Sequence, residues 1–303
     1  MGGRLKALGL KVRDTSHVTQ FISEYMGRDW ADRVDAVFVP GGSTVAELYL
    51  RGGRRDPWTD RMSLAELCHY AVPGAPAGVD LPAVLAALPG MDMVLVREDD
   101  GAVRLVTSDR GEARVLMRHD TTEAPPELYA YVPIGDGDPL GYRTDPIAAP
   151  LVSPQVGPVR WANGRAWLLA TLHTAHPWAV ARIPHAFGRH ATESDVITVA
   201  RRGYDFLARS RGDHGGLDPE TMFTPLVIAS SGRAPLAGMP LLTTVDMLPT
   251  VLSLLGIAPS QDLAACLDGT PFGITAEGDE AALRVAVASL GAAPPSAALP
   301  GAK

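Results

Sequence analysis

The sequence predicts an α/β layer architecture built around a mainly parallel sheet. Asp195-Val196-Ile197-Thr198-Val199-Ala200 and Pro225-Leu226-Val227-Ile228-Ala229 are continuous apolar runs of strand length, the pattern of strands covered on both faces. A helical pattern over 166–187 precedes them, and helices alternating with fully apolar strands are what a sheet between helical layers demands. The chain has 303 residues, 46% of them hydrophobic and 20% charged, which suffices to bury a sizeable core in one large domain or two small ones.

In chain order, Val18, Phe21, Ile22, Tyr25 and Met26 keep a helical period behind Ser16 as N-cap, predicting an amphipathic helix over 16–30. Residues 35–40 and 44–50 are short, apolar and β-branched, and Gly41-Gly42-Ser43 between them predicts a hairpin. Short helices are expected over 63–70 and 81–88, the second closed by Pro89-Gly90. From Met91 to Met117 the pattern alternates, broken by Asp99-Asp100-Gly101 and Asp109-Arg110-Gly111, which supply hairpin turns to a small β-rich insertion spanning about 40–150. Residues 132–160 are dense in Pro, Gly and Asp and read as a long surface connection. Pro177 and Pro184 divide the pattern over 166–187 into two helices. Residues 276–303 are rich in Ala and Pro and read as a flexible tail beyond a domain of residues 1–275.

Composition excludes some partners. A net charge of -7, with no run of Lys or Arg, offers no attraction to a nucleic-acid backbone. No segment reaches the ~20 apolar residues a bilayer span needs, and no membrane partner is expected. Cys68 and Cys266 lie far apart without a C-x-x-C motif, which fits a reducing compartment, so a cytoplasmic setting is predicted.

Among residues that could carry chemistry, His214 stands out. It lies in Gly212-Asp213-His214-Gly215-Gly216-Leu217, where the glycines let an imidazole approach a metal without steric cost from its neighbours; an exposed loop histidine is the plain alternative. His173 and His176, three apart on an expected helix, could share a face, but no carboxylate or third histidine is near in sequence. His185 and His190 straddle a helix end. Pro40-Gly41-Gly42-Ser43 lacks both Gly-x-Ser-x-Gly and the Walker lysine, and reads as a turn. Asp246 and Thr250 sit four apart on one helix face, where a solvent-facing or capping role competes with support of a site.

Several segments together carry a family resemblance. The His214-Gly215 turn is followed by Met222-Phe223-Thr224-Pro225-Leu226 and then by Thr244-Val245-Asp246-Met247-Leu248-Pro249-Thr250. Upstream lie Leu8-Gly9-Leu10-Lys11-Val12-Arg13, Gly42 to Leu50, Asp92 to Gly111, and Gly137-Asp138-Pro139-Leu140-Gly141-Tyr142. In this order the segments resemble the C-terminal part of the type I phosphodiesterase/nucleotide pyrophosphatase branch of the alkaline phosphatase superfamily, over roughly residues 5–275. The resemblance implies an alkaline-phosphatase-like layered fold, N-terminally incomplete. It implies a metal-dependent hydrolase of phosphodiester or pyrophosphate bonds, a nucleotide-like small-molecule substrate, two zinc ions, and His214 as one zinc ligand. Such enzymes also need a Thr or Ser nucleophile, an Asp after the first strand and an Asp-x-x-x-His element, none of which has a counterpart here; a missing N-terminal half would have to supply them. Losing a covalent nucleophile costs on the order of 10⁶ in turnover, so the chain by itself is expected to be nearly inert. The alternative is a non-catalytic binding or scaffolding domain that keeps this part of the fold.

Overall fold

A computed structural model describes residues 2–15, 33–52, 60–72, 77–120, 127–187, 193–207, 214–224 and 242–260, with 263, 264, 267 and 269. The helix expected over 16–30, the strand over 225–229 and the tail lie outside these residues. The chain divides into two units, Met1–Thr224 and Pro225–Lys303.

The first unit is built on one nine-stranded sheet. Its strands are β1 (Val12–Asp14), β2 (Ala36–Pro40), β3 (Val45–Leu50), β4 (Met91–Arg97), β5 (Val103–Val106), β6 (Glu112–His119), β7 (Glu127–Ile134), β8 (Ala162–Asn163) and β9 (Val196–Ala200), in the order β1-β2-β3-β9-β4-β5-β6-β7-β8. The expected hairpin forms, with Pro40 opposite Ala46. The alternating stretch becomes the meander β4 to β7, and Gly101 and Gly111 take the left-handed backbone its turns require (φ +88° and +74°).

β9 is buried on both faces along its whole length, as its apolar run predicts. It runs antiparallel to both neighbours, β3 and β4, and among the described strands only β1 and β2 pair in parallel. The sheet is therefore mixed and mostly antiparallel, not mainly parallel. Burial on two faces requires a helical layer on each side and says nothing of strand direction. The short connections between β2 and β3, and from β4 to β7, leave no room for the crossovers that parallel neighbours need.

One layer contains α1 (Gly2–Ala7), α2 (Leu64–Cys68) and α3 (Leu81–Ala86), whose Leu5, Leu67, Leu81 and Leu85 pack with Val94, Val96 and Val196 of the sheet. Ser63 and Glu66 form a capping box on α2, and Asp80 caps α3 by accepting from Ala83 N at 3.0 Å. The other layer contains α4 (Gly164–Thr171) and α5 (Ala179–Ala186), which bring Trp167, Val180 and Ile183 onto Met93, Leu95, Ile197 and Val199. The break between them falls at 172–178, while Pro184 lies inside α5. Residues 135–161 are irregular, yet Leu140, Tyr142 and Ala148 are fully buried, so this connection contributes to the core instead of merely crossing the surface.

β4 carries a bulge against β9 between Met91 and Met93. Met91 joins the first core and Met93 the second, so the extra residue, Asp92, is re-aimed toward the α4–α5 side.

In the second unit a 3-10 turn, Thr244–Asp246, leads into α7 (Met247–Leu254), following the short α6 (Pro219–Met222) of the first unit. Asp246 and Thr250 are both buried: the Asp246 carboxylate accepts from Thr243 N and Oγ1 at 2.8 Å each, and Thr250 Oγ1 donates to Asp246 O at 2.6 Å. Asp246 caps the turn, Thr250 bonds back one helical turn within α7, and neither faces solvent.

Candidate functional site

His214 opens a loop whose shape its glycines dictate. Gly215 and Gly216 both hold left-handed backbone (φ +95° and +94°), after which Leu217 turns into the core and Asp218 caps α6. The loop is fastened to the β2–β3 turn. Ser43 N donates to His214 O at 3.1 Å, and Gly42 lies so close that a side chain there would collide with the same carbonyl. Gly215 lies against Val45, and Gly216 beside Thr44. Thr44 Oγ1 is buried with no hydrogen-bond partner among the described residues. The Pro40-Gly41-Gly42-Ser43 segment is the turn its composition predicts, and its use is to seat this loop. The His214 residue is exposed. Asp213 and His190 lie outside the described residues.

Among the described residues no three or more His, Cys, Asp or Glu side chains stand together in a way that could hold a metal ion. An open zinc site takes about three protein ligands, so these residues do not by themselves fit a zinc ion, much less two.

The bulge at Asp92 creates a second polar constellation. Asp92 accepts from Arg110 Nη2 at 2.6 Å and meets His176 Nε2 at 2.9 Å. Arg110 also donates to Asp92 O and to Pro139 O. His176 is only 7% exposed, its carbonyl accepts from Tyr142 Oη, and its Nδ1 has no partner among the described residues. His176 and His173 do not share a helix face: both lie in the α4–α5 connection, where His173 Nε2 meets Asp145 at 2.7 Å. That connection ends at Trp178, held at φ +58° by Nε1 donating to Gly164 O and by backbone N donating to Thr171 Oγ1. His185 contacts Tyr129 Oη at 2.8 Å, a structural pairing.

Thr44 O accepts from Ala200 N, and Ala200 stands opposite Met91. The His214 loop and the Asp92 cluster therefore occupy the same end of the sheet, on strands about 10 Å apart across β9. The sequence signal for Asp92 is a lone carboxylate in the apolar run Met91-Asp92-Met93-Val94-Leu95-Val96. A cavity of about 660 Å³ lies at the opposite end of β3 and is lined in part by Arg51, Glu66 and His69. Its Glu66 is already committed to the α2 cap, and His69 Nδ1 to Ala65 O.

Burial pushes the Asp92 carboxyl up, but the hydrogen bond and charge of His176 together with Arg110 outweigh it and hold the group below the usual carboxylate range. A depressed folded value stabilises the protein above the unfolded pKa of about 4 and is lost as pH falls through the folded one. Asp92→Asn is expected to cost about 1–3 kcal/mol at pH 7, the difference from the parent narrowing below about pH 4. Urea melts at pH 7 and pH 3 check this, and a difference that does not change with pH would refute it.

No helix of the described residues is long and apolar enough to cross a membrane. Compared with known proteins, the chain matches no family model, no curated protein and no solved structure.

Proposed function

We propose that this polypeptide belongs to a metal-dependent phosphodiester or pyrophosphate hydrolase of the alkaline phosphatase superfamily, acting on a nucleotide-like small molecule. On this reading the chain contributes His214 to a zinc site whose nucleophile and other ligands come from polypeptide outside this sequence. The observation that carries the reading is the seating of the His214 loop. Two left-handed glycines, a backbone hydrogen bond from Ser43 and a turn that tolerates no side chain at Gly42 hold the backbone of His214 at a defined end of the sheet. A surface histidine with no task has no need of such a frame. The chain's own work in the reaction is placement: the β2–β3 turn fixes the backbone at 214, and the glycines keep neighbouring side chains clear of it. A cytoplasmic setting belongs to the same proposal.

A binding or scaffolding role without catalysis is favoured by one observation: no group of three or more metal-ligating side chains stands together among the described residues.

The test uses the native polypeptide that carries this sequence, isolated from its own cells, with bis(p-nitrophenyl) phosphate as probe. Hydrolysis is expected to stop with a chelator and return with zinc, and His214→Ala is expected to lower it by at least about 100-fold. A native polypeptide inert toward the probe with zinc present overturns the hydrolase reading in favour of the binding role.

A further inference from the structure

At the C-terminal end of β9 the chain invests heavily in the position of an exposed residue. Arg201 N donates to Gly90 O at 2.8 Å, Arg201 Nε to Met91 O at 2.9 Å, and Arg201 Nη2 to Asp109 at 2.7 Å. Tyr204 N closes a turn onto Arg201 O at 3.0 Å. Two residues later, Phe206 N donates to Ser43 O at 2.7 Å, and its ring meets Phe38 edge-to-face at 5.7 Å. The backbone is thus anchored on both sides of Tyr204, whose side chain stays in the open: the residue is 54% exposed.

The Tyr204 ring rests on Gly90. Gly90 has φ +83°, and a Cβ there would strike the ring, so the aromatic lies directly on bare backbone. Beside it a cleft of about 100 Å³ is lined by Arg4, Leu88, Pro89, Tyr204, Asp205 and Phe206, among others. Arg4 is an exposed cation on α1. Asp205 accepts from Leu207 N at 2.5 Å and, as a carboxylate, has further acceptor capacity. The cleft is too small to enclose a ligand, which commonly takes 300–1,000 Å³ or so. It can take the edge of a flat ring whose face lies on Tyr204.

We infer that Tyr204, backed by Gly90, is a stacking platform for a flat heteroaromatic ring bearing an exocyclic hydrogen-bond donor, which Asp205 accepts, and an anionic substituent, which Arg4 attracts. Each part of the ligand answers a group in the cleft. The ring matches an aromatic face whose other side is already supported, so stacking costs little ordering. The platform goes beyond the hydrolase reading and stands without it. The two places are nonetheless neighbours, because Ser43 O accepts from Phe206 N while Ser43 N donates to His214 O.

The test is a ligand-observed NMR titration of the chain in metal-free buffer, with adenosine 5′-monophosphate, adenosine and ribose 5-phosphate as separate probes. The monophosphate is expected to bind with Kd on the order of 1 mM. Adenosine should bind more weakly for want of the anion, and ribose 5-phosphate at least about fivefold more weakly for want of the ring. Tyr204→Ala is expected to weaken monophosphate binding by at least about fivefold with an unchanged thermal midpoint, Tyr204→Phe to retain it, and His214→Ala to leave it unaffected. No binding, equal binding by Tyr204→Ala, or ribose 5-phosphate matching the monophosphate would each overturn the platform. Retained ring binding in a native polypeptide that hydrolyses nothing would overturn the hydrolase reading and leave the platform standing.

Discussion

Trp167→Ala is expected to remove about 3–5 kcal/mol of stability. Trp167 is 0% exposed and joins α4 to the sheet in two ways. Its ring stacks on Tyr142 at 6.0 Å, which itself packs on Tyr131 at 5.4 Å, and its Nε1 donates to Tyr129 O at 3.1 Å. Truncation leaves a cavity lined by rigid rings that cannot collapse into it, and strands a buried carbonyl. Trp167→Phe keeps most of the packing and loses only the hydrogen bond, so it should cost about 1–2 kcal/mol. Urea midpoints of the two variants separate the contributions. A loss below about 1 kcal/mol for Trp167→Ala would mean that the aromatic stack does not hold α4 to the sheet.

Asp195→Ala is expected to cost about 2–5 kcal/mol, although it removes a charged residue from an apolar neighbourhood. Asp195 is 2% exposed, and its two oxygens accept from Leu50 N at 2.6 Å and Met62 N at 2.7 Å. It also donates its own N–H to Leu48 O at 3.0 Å. One carboxylate thus ties the end of β3, the approach to α2 and the start of β9. Alanine leaves two buried N–H groups without acceptors, each worth about 1–3 kcal/mol. Asparagine should cost nearly as much, because an amide accepts through one oxygen only and would turn its NH₂ toward one of the two donors. A neutral Asp195→Asn in the same denaturation assay would rule out the two-acceptor role.

Much of the fold was legible because the relevant signals are local. The Gly41-Gly42-Ser43 turn, the acidic hairpin turns before Gly101 and Gly111, the short helices that begin near Ser63 and Leu81 and the doubly buried β9 all follow from residues within a few positions of one another. Strand direction did not, because it depends on which strands neighbour β9, and neither β3 nor β4 is near it in sequence. Residues 132–160 looked like surface because Pro, Gly and Asp dominate them, whereas 132–134 end β7 and Leu140, Tyr142 and Ala148 are buried. At the candidate site the His214-Gly215-Gly216 signature was legible, since glycine needs are local. The Asp92–His176–Arg110 cluster was not, because a bulge one residue long and a helix break at 172–178 bring its members together. His176 was visible only as a residue three positions from His173, a spacing that matters on a helix and loses its meaning in a loop.

The placement of β9 has a consequence during synthesis. The strand that joins β3 to β4 is made about a hundred residues after β4, so a ribosome adding about 5–20 residues per second leaves the nascent chain for several seconds or more with two separate half-sheets. Each half-sheet then presents a long, apolar, unmated edge, β3 on one and β4 on the other, and these edges attract each other or a neighbouring nascent chain. Correct assembly depends on β9 arriving between them before they meet. Slow translation through 100–195 would therefore favour off-pathway association, while rapid translation, or a chaperone shielding the β3 and β4 edges, would favour the native order.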